Sequence, residues 1–539
     1  MPVIRLERGE LRRFGIDEER LIKEVSMLGA DLKDYDSNEI RVEFFPDRPD
    51  LYTVEGVVRA LRGFWGIERG APKYSSKRSD VKLFVDEKMR EIRPYIVGAV
   101  IKNVSVDDLM IKSMMDFQEK LHITVGRKRK KLAIGLHDFD KVKPPFRYVP
   151  KAKDFKFRPL GFKREMTLEE ILKEHPKGIE YAHILDGLDE YPIILDSENH
   201  VLSFPPIING TLTQITEETE NIFIDITGTD MNTLLSVLNI ITCSLADRGA
   251  SVESVEIIYP EHSFYTPKLE YSKIRVSKDY AKKILGIDLG DDQIKEALEK
   301  MRYDVEISGN NIEATVPPYR MDILHPVDVV EDIAKGYGYT NFELSLPTKE
   351  KIGSTRSELR EKIQRIMNGL GFFEVTTLTI TSPRMQYDMM LIPPESFVEI
   401  ENPITEEGTI LRSWLIPSLM EILRKNRHRD LPQKIFEIGY VVKERKELHL
   451  AFLHIDSEAS FTLSKSYTEA ILRDLEMGKY EIKEHDHGSF IGGRCASILV
   501  DREEIGFFGE LHPQVLENFQ LGYPVIAMEI NLSKIKEKL

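Results

Sequence analysis

Val316-Pro317-Pro318-Tyr319-Arg320-Met321-Asp322-Ile323-Leu324-His325-Pro326-Val327-Asp328-Val329-Val330-Glu331-Asp332 is the stretch from which the organisation of the chain can be read. Pro317 and Pro318 impose an extended segment. Pro326 suits the first position of a helix, where its missing N–H costs nothing. From there Asp328, Glu331 and Asp332 fall at i, i+3 and i+4 and share one helical face. Val327, Val330, Ile333 and Ala334 take the other side and are expected to pack inward. Asp322, in the extended segment, can fold back towards the acidic face. Hard oxygen donors grouped in this way suit Mg²⁺, which takes one or two carboxylates and completes its octahedron with water or partner groups. A second reading needs no metal: acidic residues complement the dipole in the first turn of any helix.

The bulk numbers bound the rest. A chain of 539 residues should hold about three or four domains. A hydrophobic share of 41% supplies proper cores, and no stretch is long and apolar enough to span a membrane. The opening Met1-Pro2-Val3-Ile4-Arg5-Leu6-Glu7-Arg8 lacks the apolar core of a signal peptide. Two cysteines, Cys243 and Cys495, give neither a disulfide framework nor a zinc knuckle and fit a reducing, cytoplasmic setting. A net charge of −15 argues against a protein whose whole surface grips nucleic acid. Basic runs at Arg127–Lys131 and Arg424–Arg429 read as solvated faces or as local RNA contacts.

Along the chain, Arg41-Val42-Glu43-Phe44-Phe45-Pro46-Asp47-Arg48-Pro49-Asp50-Leu51-Tyr52-Thr53 ends a first segment. Pro46 and Pro49 bracket Asp47 and Arg48, a turn that can hold an Asp–Arg pair. Thr53 is placed to cap a helix carrying Val57, Ala60, Leu61 and Phe64. Ala71 to Asp80 reads as a polar linker. In the central region Ile222 to Thr227 alternates strictly, with Phe223, Asp225 and Thr227 on one face. Thr229 or Asp230 then caps a helix ended by Gly249, whose amino end points N–H groups at a pocket next to that strand. Ser203, Asn209, Asp225 and Thr227 are the expected pocket residues; the alternative is that Asp225 and Thr227 only bond the following turn. Next come two short helices, Ser277 to Leu285 and Asp291 to Met301, and a hairpin turning at Gly309-Asn310. Their acidic surface, with Asp288, Asp291, Asp292, Glu296 and Glu299, suits a docking module better than a DNA reader.

Four motifs carry a family resemblance over nearly the whole chain. Arg320, Asp322, Asp328, Glu331 and Asp332 followed by Gly336-Tyr337-Gly338-Tyr339 resemble the magnesium motif of the phenylalanyl-tRNA synthetase beta-subunit family. Phe45-Pro46-Asp47-Arg48-Pro49-Asp50-Leu51 resembles another family signature, with Phe45 where Asn is usual. Glu401 to Pro417 is a third, with Gly408 departing from a bulkier residue. The region around Ser203–Asn209 and Asn221–Asp230 resembles the archaeal and eukaryotic editing domain. The last part looks like a class II synthetase catalytic domain without its chemistry. There a helix Ser357–Leu370 precedes an alternating strand Thr376–Thr381, and Ile435–Gly439 stands where the second class II motif has a strand. Gly506-Phe507-Phe508-Gly509 is followed by no arginine to clamp a triphosphate.

The resemblance implies an α+β multidomain chain in four parts. These are a small α/β N-terminal domain (1–75), a mixed α/β editing domain (85–265), a winged-helix-like module with the magnesium motif (268–345), and a degenerate antiparallel-sheet class II domain (350–539). It implies a heterotetramer of two alpha and two beta subunits that binds tRNA(Phe), with ATP and phenylalanine at alpha. Mg²⁺ would be held by Asp322, Asp328, Glu331 and Asp332 close to alpha. Mischarged tyrosyl-tRNA(Phe) would be hydrolysed at Ser203, Asn209, Asp225 and Thr227. An assembly and tRNA-docking scaffold with an inactive pocket is the alternative. A free-standing deacylase would leave the empty synthetase fold without a purpose.

Overall fold

Strict alternation builds the first sheet. Ile40, Val42 and Phe44 of Glu39–Phe44 point inward while their neighbours stay half-buried, and this strand pairs antiparallel with Val3–Glu7 on one side and Ala30–Tyr35 on the other. Thr53 accepts a hydrogen bond from the Gly56 amide (3.0 Å) and starts helix Val54–Phe64, as its capping chemistry predicts. The computed structural model describes residues 2–344, 346 and 358–536, and the chain falls into two units, Met1–Leu346 and Pro347–Leu539.

The middle of the first unit is a ten-stranded mixed sheet. Its central strands are Lys77–Val85, Ser251–Ile258, Tyr95–Lys102, Ile222–Gly228 and, at one edge, Leu132–Asp138. The other edge runs through Phe146–Ala152, Glu190–Leu195 and Val201–Phe204 to Ile208–Asn209. Residues 77–80 thus belong to this sheet, and the linker expected over Ala71 to Asp80 is shorter. Ile222, Ile224 and Ile226 pack into one core with helix Met231–Asp247, and Phe223 faces a second core with Phe146 and Leu202. The two edges meet: the Asn209 amide donates to the Leu136 carbonyl (3.4 Å), and Arg129 reaches the carbonyls of Pro206 (3.2 Å) and Ile207 (2.8 Å).

The last part of the first unit is a three-stranded sheet of Ser272–Ser277, Asn311–Val316 and Asp304–Ser308, with Asn311–Val316 central. Helices Lys278–Leu285, Asp291–Lys300 and Pro326–Tyr337 cover it. Ser277 caps the first helix, and Gly286 ends it in a left-handed conformation (φ +74°).

The second unit is a seven-stranded sheet ordered Phe373–Glu374, Gln433–Val442, Lys446–Ile455, Val525–Asn531, Glu503–Leu511, Phe490–Val500 and Tyr480–Glu484. Every pair is antiparallel except the first. Helices Glu358–Gly369 and Phe461–Asp474 pack on one face, and Ile416–Lys425 packs on the other. Ser357, the expected start of the first helix, lies outside the described residues. The alternating strand expected over Thr376–Thr381 is limited to Ile380–Thr381, because Thr377 turns to give its hydroxyl to Glu437 (2.5 Å).

Gly336 shows how close the packing is. Helix Pro326–Tyr337 rests on helix Asp291–Lys300, and a Cβ at 336 would lie 2.0 Å from the Ala297 carbonyl oxygen. Gly336→Ala is therefore expected to destabilise the fold by about 1–3 kcal/mol, read as a lowered midpoint in urea unfolding followed by circular dichroism.

Candidate functional site

Pro326 begins the helix as expected, and His325 caps it by accepting from the Val327 amide (3.2 Å). The carboxylates around it then separate into different uses. Asp328 accepts the amides of Leu324 (2.8 Å) and His325 (2.7 Å), closing the turn before the helix. Glu331 is exposed and pairs with Lys335 (2.8 Å). Asp332 is buried, which places it on the inner face that spacing assigned to Val327; Val327 is exposed instead. Asp332 accepts from Tyr303 Oη (2.6 Å) and Arg320 (2.6 Å). Asp322 does fold back, but onto Arg320, in a two-bond pair of 2.9 and 2.7 Å.

One guanidinium therefore occupies the space between Asp322 and Asp332. The four carboxylates expected to hold Mg²⁺, Asp322, Asp328, Glu331 and Asp332, are thus each engaged by groups of the chain itself. Two donors are neutralised by Arg320, one closes a turn and one is at the surface. Among the described residues no group of three or more His, Cys, Asp or Glu side chains is arranged to hold a metal ion.

The neighbouring turn repeats the theme. Arg48 forms its two-bond pair with Asp50 (2.8 Å each), not with Asp47, and lies 4.0 Å from Asp322. Arg59 stacks over the Tyr319 ring at 3.8 Å and pairs with Asp247 at the end of helix Met231–Asp247. Three parts of the first unit are thereby joined through buried arginines.

In the central sheet, Asp225 and Thr227 share a face as predicted, yet both are almost fully buried. Asp225 meets His137 Nε2 at 2.6 Å, and His137 Nδ1 meets Thr213 Oγ1 at 2.8 Å. An ionised Asp225 only accepts, so His137 donates from Nε2 and receives the Thr213 hydroxyl proton at Nδ1. Gly135 makes this contact possible, since a Cβ there would lie 2.1 Å from Asp225 Oδ2. Thr227 is held by Arg93, whose Nε donates to its hydroxyl (3.0 Å) and whose Nη2 donates to its carbonyl (2.8 Å). Burial lowers Arg93 to about 10. Ser203 is buried and its Oγ has no hydrogen-bond partner, whereas Asn209 bonds across the sheet edge.

Asp230 caps helix Met231–Asp247. The cavity of about 250 Å³ beside the first turn of that helix is lined by Arg90, Tyr95, Tyr259 and His262, and by none of the four expected residues. Asp225 and Thr227 thus bond His137 and Arg93, not an open pocket at the helix start and not the following turn.

The whole chain has close relatives. It is 46% identical to the phenylalanine–tRNA ligase beta subunit of Archaeoglobus fulgidus over 99% of this chain and 98% of that one. The chain belongs to the phenylalanine–tRNA ligase beta-subunit family. Identity to the beta subunit of Pyrococcus furiosus is 44%, over 91% and 90% of the two chains. An N-terminal fragment of the Pyrococcus horikoshii phenylalanyl-tRNA synthetase beta subunit superposes with a TM-score of 0.61 at 41% identity, covering 63% of this chain and all of the fragment. Family models match in order: the B3/4 domain at residues 99–237, the tRNA synthetase B5 domain at 274–339, and the phenylalanyl tRNA synthetase beta chain CLM domain at 344–532.

Within this beta-subunit chain, sequence reasoning missed His137, Thr213 and Arg93. His137 follows the basic run Arg127–Lys131 in strand Leu132–Asp138, whose register puts it beside Phe223, yet nothing local pairs it with Asp225. Arg320 is the member of the opening motif whose role was underestimated.

Burial works against an ionised Asp322, but Arg320 and then Arg48 overcome it and hold its carboxyl at about 2. A depressed folded value gives stability that is present above the unfolded value near 3.9 and lost as pH falls through the folded one. Acid unfolding monitored between about pH 4 and pH 2 should therefore lose this contribution, and Asp322→Asn should flatten that part of the profile. Arg320→Met, which takes from Asp322 and Asp332 their closest cation, should cost about 3–5 kcal/mol. A magnesium ion held by Asp322, Asp328, Glu331 and Asp332 should raise the melting temperature when Mg²⁺ is added and lower it with EDTA, because a ligand stabilises the fold that binds it; an unchanged melting temperature leaves the ion pairs as the sole use of these carboxylates.

Proposed function

We propose that this chain is the beta subunit of a phenylalanine–tRNA ligase built from two alpha and two beta subunits, and that its B3/4 domain proofreads. Activation of phenylalanine with ATP takes place in alpha; beta supplies assembly, tRNA(Phe) support and hydrolysis of tyrosyl-tRNA(Phe). The family relationship supports the first part. One observation carries the second: the Thr213–His137–Asp225 chain at the meeting of the two sheet edges.

Hydrolysis of an aminoacyl ester needs a positioned water and stabilisation of the developing oxyanion. The carboxylate of Asp225 fixes the orientation and tautomer of His137, and the imidazole takes the Thr213 hydroxyl proton as its acceptor. With the Thr213 hydroxyl turned to the Leu202 or Gly210 carbonyl (3.4 and 3.3 Å), His137 Nδ1 takes the proton of a water that attacks the ester carbonyl carbon and returns it to the departing ribose oxygen. Ser203, with an unpartnered hydroxyl in the same interior, is available to donate to a substrate hydroxyl or carbonyl oxygen. Thr227 acts indirectly: its bond to Arg93 fixes the carboxyl end of the strand that carries Asp225. Asn209 ties the short edge strand to Leu136, next to His137.

The burial of Asp225, Thr227, His137 and Thr213, each with a partner inside the chain, is the observation that favours the second reading, a scaffold without hydrolytic activity. The two differ in one experiment on the reconstituted two-subunit enzyme. Proofreading predicts that His137→Ala and Asp225→Ala each reduce deacylation of tyrosyl-tRNA(Phe) by about 10²-fold or more while phenylalanine charging persists. Thr227→Ala should cost less. Wild-type enzyme that fails to deacylate establishes the scaffold reading.

A further inference from the structure

On the face of the seven-stranded sheet that carries helix Ile416–Lys425 lies a cavity of about 500 Å³ that no step above uses. Strand alternation delivers its polar floor. Glu447 and His449 come from Lys446–Ile455, and Glu529 and Asn531 from Val525–Asn531, with His449 directly opposite Asn531 in the register. Glu529 is buried and anchored: it accepts the Leu415 amide (3.0 and 2.9 Å) and the Ile416 amide (3.1 Å) at the start of the helix, and meets His449 Nδ1 at 2.7 Å. In the neutral imidazole that contact puts the proton on Nδ1 and leaves Nε2 as an acceptor.

His449 is 8% exposed, and its Nε2 has no hydrogen-bond partner. The nearest charge is the Glu447 carboxylate, 3.6 Å away. Two acceptors thus face one another across the cavity floor and share no donor. Asn531 (2.9 Å) and Arg445 (3.2 Å) donate to Glu447 from its other sides. The charge balance has the same sign: Glu395, Glu447, Glu504 and Glu529 line the cavity against Lys443 and Lys534. Lys443 is turned to Glu395 (3.5 Å), and Lys534 donates to the Glu504 carbonyl (2.8 Å).

The wall is aromatic. His487, Trp414 and Phe507 form a triangle of rings, His487 being 5.6 Å from Trp414 and 5.0 Å from Phe507 (planes 27° apart), and Trp414 6.3 Å from Phe507. Burial, and then the neighbouring His485, lower His487 to about 4, so at neutral pH it is an uncharged ring of this stack.

We propose that this cavity binds a small primary amine with an aromatic body, the ammonium seated between Glu447 and His449 Nε2 and the ring against Trp414, His487 and Phe507. An ammonium brings three N–H donors to two acceptors and compensates the excess of carboxylates. Aromatic faces favour both the ring and the positive charge beside it. A metal would find only Glu447 and His449 converging there. The shared chemistry is that of arylalkylamines and of aromatic amino acids, which differ only in the carboxylate.

Trp414 makes the test direct, because the chain holds only one other tryptophan, Trp65. In a full-length Trp65→Phe background, fluorescence is titrated with phenethylamine, L-phenylalanine and 3-phenylpropionate. Phenethylamine is expected to give a saturable change, and 3-phenylpropionate, which lacks the ammonium, none. Saturation by L-phenylalanine as well makes the free amino acid a ligand; saturation by phenethylamine alone restricts the site to amines. Glu447→Gln should weaken binding about tenfold or more, and His449→Phe should do the same if Glu447→Gln fails to fold by circular dichroism. No saturable response to phenethylamine, an equal response to 3-phenylpropionate, or undiminished binding by folded Glu447→Gln overturns the proposal.

Discussion

The buried guanidinium of Arg320 is the interaction on which the first unit turns. It stands between Asp322, in the extended segment, and Asp332, one helical turn further along the face than Asp328. Removing such a charge from water is expensive, and the arrangement is favourable only because two carboxylates and the Tyr303 ring, 5.3 Å from the guanidinium, surround it. Through Asp322 the same cluster reaches Arg48 and Asp50, and Arg59 extends it over Tyr319 to Asp247. Arg48 reaches Asp322, and Arg59 reaches Tyr319 and Asp247, so the N-terminal domain, the central sheet and the three-helix module are linked in stability. Two of the acids in the opening motif, Asp322 and Asp332, thus hold Arg320.

The central sheet solves a different problem. Phe223, Asp225 and Thr227 project into an interior otherwise filled by Phe146, Tyr148 and Leu202, where an unpaired carboxylate would be costly. His137 meets that demand, and the glycine at 135 leaves the space for it. Closure of the sheet brings Thr213 to the other imidazole nitrogen, so a structural necessity and a proton-transfer geometry coincide in the same three residues.

The second unit has two faces that the strands divide by parity. On Lys446–Ile455, Leu450 and Phe452 enter one core, and Ala451 and Leu453 enter the other. Where the second face runs beyond helix Ile416–Lys425, the residues of the same parity become Glu447 and His449, and the core gives way to a polar cavity. Arg412, from the motif at Glu401 to Pro417, is spent inside: it pairs with buried Glu437 (2.9 Å) and donates to the Tyr440 carbonyl (2.8 Å).

Local chemistry in the sequence determined much of this. The caps at Thr53, Asp230 and Ser277, the proline start at Pro326, the glycine stop at Gly286 and the parity of Ile222–Thr227 all depend on residues within a few positions of one another, and each is found. The family followed from motifs spread over the chain. What the sequence alone did not determine are the partners of its charges. Spacing grouped Asp328, Glu331 and Asp332 because they are neighbours along a helix, with Asp322 folding back from the segment before it. In the fold Asp332 is engaged by Arg320, twelve positions away, and by Tyr303, twenty-nine positions away. Asp225 and His137 are 88 positions apart, and His449 and Glu529 are 80. Only the tertiary structure could decide such pairs, since the cost of burying a charge is set by what surrounds it in space.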